Sequence, residues 1–180
     1  MIAKLHDPFV IETDVKGDLE FFKPYLDKVQ WTDTNKLYGE HEEYNQAMYG
    51  RKMVHHYIQH ISDYDLKLKK FIVKLFKDFG VQSKDWRADF FLTKSGGSMP
   101  QHIDVKSNIA FLLPLSKNTG PLVCENEFDR VELTYQNLVI LNTKQPHAVN
   151  SPSEDRLLFR VALHDVMFED LGIYKVLRSS

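Results

Sequence analysis

The sharpest chemical pattern in the chain is His102-Ile103-Asp104, followed forty-three positions after Asp104 by His147. In a strand, side chains two residues apart share a face with Cα atoms roughly 6.5–7 Å apart, so an imidazole and a carboxylate can converge on one ion. His147 comes just after the apolar run Leu138-Val139-Ile140-Leu141 and can return from a neighbouring strand as the third ligand. Two imidazoles and one carboxylate on one face of an octahedron leave three positions open. That arrangement suits non-haem Fe(II), which must bind a co-substrate and dioxygen together. Open positions point to catalysis rather than to a structural ion.

A His-x-Asp triplet carries little information alone, since a chain of this composition contains about 0.7 of them by chance. Its context is more specific. The triplet follows the turn-like Ser95-Gly96-Gly97-Ser98, sits in a strand-rich region, and precedes a distal histidine that has Arg156 nine residues beyond it. A planar guanidinium at the mouth of a β-sandwich can hold a carboxylate bidentately in a partly desolvated pocket. Arg160 falls on the same face in a regular strand and is the competing anchor; the position of Arg156 relative to His147 favours Arg156.

His-x-Asp, a distal His, and a basic residue about ten positions further resemble the pattern of the 2-oxoglutarate/Fe(II)-dependent oxygenases. The resemblance spans Ala88 to Asp165 and is nearest to the prolyl-hydroxylase-like and aspartyl/asparaginyl-hydroxylase-like branches, through Leu138-Val139-Ile140-Leu141, Pro146-His147-Ala148-Val149 and Asp155-Arg156. It implies His102, Asp104 and His147 as iron ligands and catalytic centre, Arg156 (or Arg160) as partner of the distal carboxylate of 2-oxoglutarate, and a double-stranded β-helix core. It also implies the reaction: Fe(II), 2-oxoglutarate and dioxygen hydroxylate a substrate with release of succinate and carbon dioxide. Thr119-Gly120-Pro121-Leu122 stands where the family often has Gly-Gly-x-Leu. The tyrosine that some members use against the co-substrate is absent from Phe111-Leu112-Leu113-Pro114-Leu115, which leaves Asn108 as a candidate for that contact. Leu113, Leu115, Leu138 and Ile140 are candidates for an apolar lining that keeps water from the site.

Other reactive residues are read more plainly. His56 and His60 have the i, i+4 spacing of a helical zinc pair, but the segment lacks the glutamate of the zinc-peptidase motif, and a solvated face is favoured. His41-Glu42-Glu43 precedes no strand pattern. Lys67, Lys69, Lys70, Lys74 and Lys77 form the solvent face of one helix, and Cys124 reads as a small buried apolar residue.

The elements that must position these residues divide the chain in two. The first half reads as mainly helical: a helix from an Asp18 N-cap toward Trp31, a weaker one over Glu42–Ser62 interrupted near Gly50, and a clear one over Ser62–Phe79. The last has the apolar stripe Leu68, Phe71, Ile72, Leu75, Phe76, Phe79 and Gly80 as its stop. From Trp86 the rhythm becomes strand-like: Ala88–Thr93, His102–Val105, Asn108–Leu115, Leu122–Cys124, Val131–Tyr135, Leu138–Leu141 and Leu157–Leu163. The fold expected is α+β, a jelly-roll, cupin-like core buttressed by N-terminal helices. Residues 1–85 supply support and substrate-side elements, 86–165 the core, and 166–180 a tail, in one oxygenase domain.

The 180 residues include 43% apolar, 12% aromatic and 27% charged side chains, with a formal charge of −2. This is a globular composition and not that of a polyanion binder, so nucleic acid is disfavoured as a partner. No apolar run is long enough for a membrane span, the start lacks the apolar segment of a secretory signal, and one cysteine closes no internal disulfide; a cytoplasmic protein is expected. The substrate is left open between a small molecule and a protein side chain. The competing readings are a cupin-like metalloenzyme that does not use 2-oxoglutarate and a non-catalytic jelly-roll binding module.

Overall fold

A computed structural model describes residues 2–33, 66–117, 120–150 and 152–180, and the backbone of 54–60. Eleven strands make two facing layers. The larger has the order β1(Ala3–His6), β2(Val10–Thr13), β9(Val139–Asn142), β6(Ile109–Pro114), β11(Arg156–Leu163) and the first half of β5(Trp86–His102). Beyond β5 on this layer lie β4(Val54–His60) and β3(Thr32–Asp33). The smaller layer runs from the second half of β5 through β10(His147–Val149) and β7(Leu122–Glu125) to β8(Arg130–Leu133). All pairings between these strands are antiparallel, giving the α+β jelly-roll architecture expected of the chain.

One strand belongs to both layers. β5 pairs with β11 from Trp86 to Thr93 and with β10 at Met99 and His102. Between these pairings Gly96 adopts φ 78°, a conformation open to glycine without steric cost, and its N–H bonds to Pro152 O at 3.0 Å. The Ser95–Ser98 segment therefore bends one strand from layer to layer and does not separate two strands, as its turn-like composition suggested.

Two apolar clusters follow from strand alternation. Phe90, Phe111, Leu113, Ile140, Phe159 and Val161 point from the larger layer toward the helices, while Phe91, Leu112, Val139 and Leu158 point between the layers against Leu122, Cys124 and Val149. The helices covering the outer face are α1(Leu19–Leu26) and α2(Leu66–Asp78). Asp18 caps α1 by accepting from the N–H groups of Glu20 and Phe21, as its type predicts. α1 ends at Leu26, short of Trp31, where the helical bonds give way to three-residue ones from Lys28 N–H to Tyr25 O and Val29 N–H to Leu26 O. α2 ends in a Schellman motif: Gly80 takes φ 65°, its N–H reaches Lys77 O, and Val81 N–H reaches Phe76 O at 2.7 Å.

Phe22 ties this outer core together. It is fully buried, with ring centroids 4.7 Å from Phe159, 5.4 Å from Phe71 and 6.0 Å from Phe90. Phe22→Ala is expected to cost about 3–5 kcal/mol of stability, through lost burial and the cavity left behind, as measured by urea unfolding.

Several sequence expectations are corrected here. Residues 54–60, placed within a helix over Glu42–Ser62, are a strand paired with β5; β-branched and aromatic residues fit either period over so short a run, and the available strand edge decides. The helical spacing of His56 and His60 accordingly does not apply. The rest of that stretch, the His41-Glu42-Glu43 triplet and the first residues of the helix expected over Ser62–Phe79 lie outside the described residues. The first half also contains the β1–β2 hairpin, whose strands of four residues are too short to show alternation. The 166–180 segment is no tail: a 3-10 turn at Phe168–Asp170 and helix α3(Gly172–Arg178) bury Phe168, Leu171 and Tyr174 in the outer core. Among the described residues, no helix is long and apolar enough to cross a membrane.

Candidate metal centre

Cross-strand pairing brings the two histidines together. His147 on β10 is the direct partner of His102 at the end of β5, and their ring centroids lie 4.3 Å apart. Each ring is oriented by its own chain: His102 Nδ1 lies 2.8 Å from Pro100 O and His147 Nδ1 2.9 Å from Gln145 O. A carbonyl only accepts, so each ring donates from Nδ1 and turns its Nε2 toward the centre. This is the outer-shell arrangement that prepares a histidine for a metal.

Asp104 joins them from beyond the strand. β5 ends at His102, so the expected strand over His102–Val105 is not formed, and the same-face geometry of a strand is not what places the carboxylate. Asp104 instead sits in the following turn, its N–H bonded to Thr143 O at 3.0 Å and its Oδ2 accepting from the Ser107 hydroxyl. Its Oδ1 lies 3.3 Å from His102 Nε2 and 4.0 Å from His147 Nε2. One ligand atom from each of the three residues falls within 4.8 Å of the others, close enough for a common ion.

The electrostatics suit a divalent cation. Burial works against the Asp104 charge, yet the hydrogen bond with His102 and the fields of His147 and Arg160 outweigh it and hold the carboxyl below the usual range. Burial, reinforced by His102, pushes His147 down to about 4, so it is neutral and free to donate its lone pair near pH 7. His147 is almost fully buried, while the side chains of His102 and Asp104 keep 24% and 21% exposure, which leaves the open side of the triad facing the mouth.

The two arginines of β11 separate clearly. Register and alternation put both on the inner face with Leu158, but their surroundings differ. Arg160 donates through Nε to Asp89 Oδ2 at 2.9 Å and lies over the Phe91 ring, so its charge is matched by a fully buried carboxylate. Arg156 is 2% exposed, donates through Nη2 to the Tyr135 hydroxyl at 2.6 Å, and has no carboxylate partner among the described residues; its Nε has no acceptor. A buried guanidinium left this way strongly favours an incoming anion. Burial raises the Tyr135 phenol above its ordinary value, so it remains a neutral hydroxyl beside the cation.

Tyr135 was missed by sequence reasoning. It lies two residues past the end of β8, and nothing in its spacing says that its hydroxyl meets Arg156. Asn108, the candidate for a further co-substrate contact, donates instead to His164 O at 2.9 Å at the foot of β6. The lining residues also change. Leu113, Leu115, Leu138 and Ile140 all belong to the helix-side core, because Leu113 is paired with Phe159 and antiparallel partners share a face. The interior around Arg156 and Tyr135 is walled by Phe91, Leu112, Leu122, Val149 and Leu158. Cys124 lies there too, its thiol pushed up to about 12 by burial, in keeping with the apolar role expected of it.

No protein-family model matches the chain, and no curated protein matches it in sequence. Solved structures do. A prolyl-4-hydroxylase from Pseudomonas putida aligns with a TM-score of 0.50 at 14% identity, over 81% of this chain and 98% of that one. A prolyl hydroxylase from Trichoplax adhaerens, solved with a hypoxia-inducible-factor peptide fragment, aligns with a TM-score of 0.51 at 13% identity, over 82% and 89%. The chain shares the fold of these two proteins. The low identities carry the likeness no further than architecture, and what the triad does must be argued from its own residues.

Proposed function

We propose that the chain is an Fe(II)- and 2-oxoglutarate-dependent oxygenase that hydroxylates a small molecule or a protein side chain. The observation that carries this reading is the pairing of an open His102–Asp104–His147 face with Arg156, a buried cation lacking an anionic partner among the described residues, inside the same jelly roll. A structural metal needs no such arginine. A cupin-like metalloenzyme that ignores 2-oxoglutarate gives no reason to keep an uncompensated charge in an apolar wall.

His102 Nε2, His147 Nε2 and one Asp104 oxygen would hold the iron. Bound Fe(II) supplies the redox chemistry by which dioxygen converts 2-oxoglutarate to succinate and carbon dioxide and hydroxylates the substrate. The protein's share is orientation and exclusion. Arg156 and the Tyr135 hydroxyl receive the distal carboxylate of the co-substrate, fixing its length along the interior. Phe91, Leu112, Leu122, Val149 and Leu158 surround its methylenes and keep bulk water away.

The test is turnover of the co-substrate. Protein loaded with Fe(II) in the presence of ascorbate should release succinate from 2-oxoglutarate in a reaction that consumes dioxygen and stops on chelation. Tight metal binding with no metal-dependent affinity for 2-oxoglutarate would favour the cupin-like reading instead.

A further inference from the structure

The ligand that strand pairing does not place is Asp104. Its neighbours Ile103 and Val105 are 49% and 84% exposed, so side-chain burial does little to fix the segment that carries the carboxylate. What fixes it is the turn between β9 and β10. Thr143 O accepts the Asp104 N–H, Thr143 Oγ1 donates to Ser107 O at 2.8 Å, and Thr143 N–H donates to Asn108 O at 3.1 Å. The next residue completes the clamp: Lys144 Nζ donates to the carbonyls of both Asp104 and Val105, at 3.0 Å each. The turn is itself anchored, since Lys144 N–H bonds to Asn142 Oδ1 and Asn142 Nδ2 to Pro8 O. One residue further, Gln145 O orients the ring of His147.

We infer that Lys144 is a positioning residue for the metal centre, fixing the Asp104 carboxylate relative to the two imidazoles by clamping the two consecutive carbonyls, of Asp104 and Val105, that follow the Asp104 side chain. A surface lysine paired with a carboxylate contributes little, because both partners keep their hydration and freedom. Lys144 is different in kind: it is half-buried, and one ammonium bridges two carbonyls with charge-assisted hydrogen bonds. It touches neither the metal position nor the co-substrate anchor. Its effect is transmitted through three consecutive residues, Thr143, Lys144 and Gln145, which hold Asp104 from one side and His147 from the other.

This inference rests on the proposed metal-binding reading, and its experiment separates the two. Co(II) is titrated into the metal-free full chain under nitrogen and followed by calorimetry and by the visible absorption of the bound ion. Lys144→Met is expected to raise the Co(II) Kd by about tenfold or more, the usual cost of losing an outer-shell contact, and to alter the visible bands. Lys144→Arg, which can still donate to both carbonyls, is expected to recover most of the affinity. A purely structural role would lower the melting temperature and leave the Co(II) affinity and spectrum of the folded variant as in the parent. That result overturns the inference alone. Failure of the parent chain to bind Co(II) overturns the metal reading and this inference with it. If Lys144→Met does not fold by circular dichroism, Lys144→Gln, which keeps a polar end but no charge, is judged by the same two outcomes.

Discussion

Replacing His102 with alanine is expected to weaken divalent-metal binding by about a hundredfold or more, beyond the range typical of outer-shell changes, and to abolish 2-oxoglutarate turnover. The effect is large because the triad has only three donors, so removing one leaves an imidazole and a carboxylate that cannot close a face. It should also be clean. The His102 side chain is partly exposed, and its contacts outside the triad are confined to Pro100 in its own strand, so losing the ring perturbs the triad and little else of the fold. Stability in urea without added metal should change by no more than about 0.5 kcal/mol. Calorimetric titration with Mn(II), read beside the urea curve, checks both statements; parental Mn(II) affinity in the variant would remove the basis for the metal centre.

Arg156→Met should act in the opposite sense on binding and on stability. Loss of the guanidinium removes the charge-assisted partner of the distal carboxylate in an apolar setting, at a cost of about 2–5 kcal/mol in co-substrate affinity. That is a factor of about 30 or more in Kd for 2-oxoglutarate. The Mn(II) affinity should be unaffected, since no ligand is touched. The ligand-free protein, however, should gain stability, on the order of 1 kcal/mol or more, because a buried cation with no carboxylate partner among the described residues is replaced by an apolar stem of similar length. Tyr135 loses its partner in the exchange and offsets part of the gain. Thermal unfolding of the metal-free proteins and metal-dependent titration with 2-oxoglutarate test the two halves separately. A destabilised variant with unchanged affinity would mean that Arg156 is structural and that the anion site lies elsewhere.

The sequence was legible where the signal is local. Asp18 as a cap, the apolar stripe of α2 and Gly80 as its stop are decided within a few residues, and the structure has them as read. Most core strands after Trp86 were also found, since each is a short apolar or β-branched run bounded by turn residues. The candidate site was legible as a set of residue types, but the reason its members meet was only half right. His102 and His147 are joined by strand pairing, whereas Asp104 reaches them from a turn, held by Thr143 and Lys144, whose roles depend on contacts about forty residues apart in sequence. Inward and outward faces were not legible either. Which of Leu112 and Leu113 looks into the barrel is fixed by their pairing with Arg160 and Phe159, and a run of apolar residues buried on both faces has no visible alternation. Tyr135 could not be matched with Arg156 beforehand because their contact joins residues 21 positions apart on elements that are not paired.

The strand shared by both layers has a consequence for how the protein opens. Thr93, the partner of Arg156, and His102, the partner of His147, lie on one continuous strand, so the candidate metal end and the proposed anion end are tied to a single element. Occupancy at either end would slow amide hydrogen exchange along the whole of β5, and a fluctuation that frees this strand would dissolve both ends in one event.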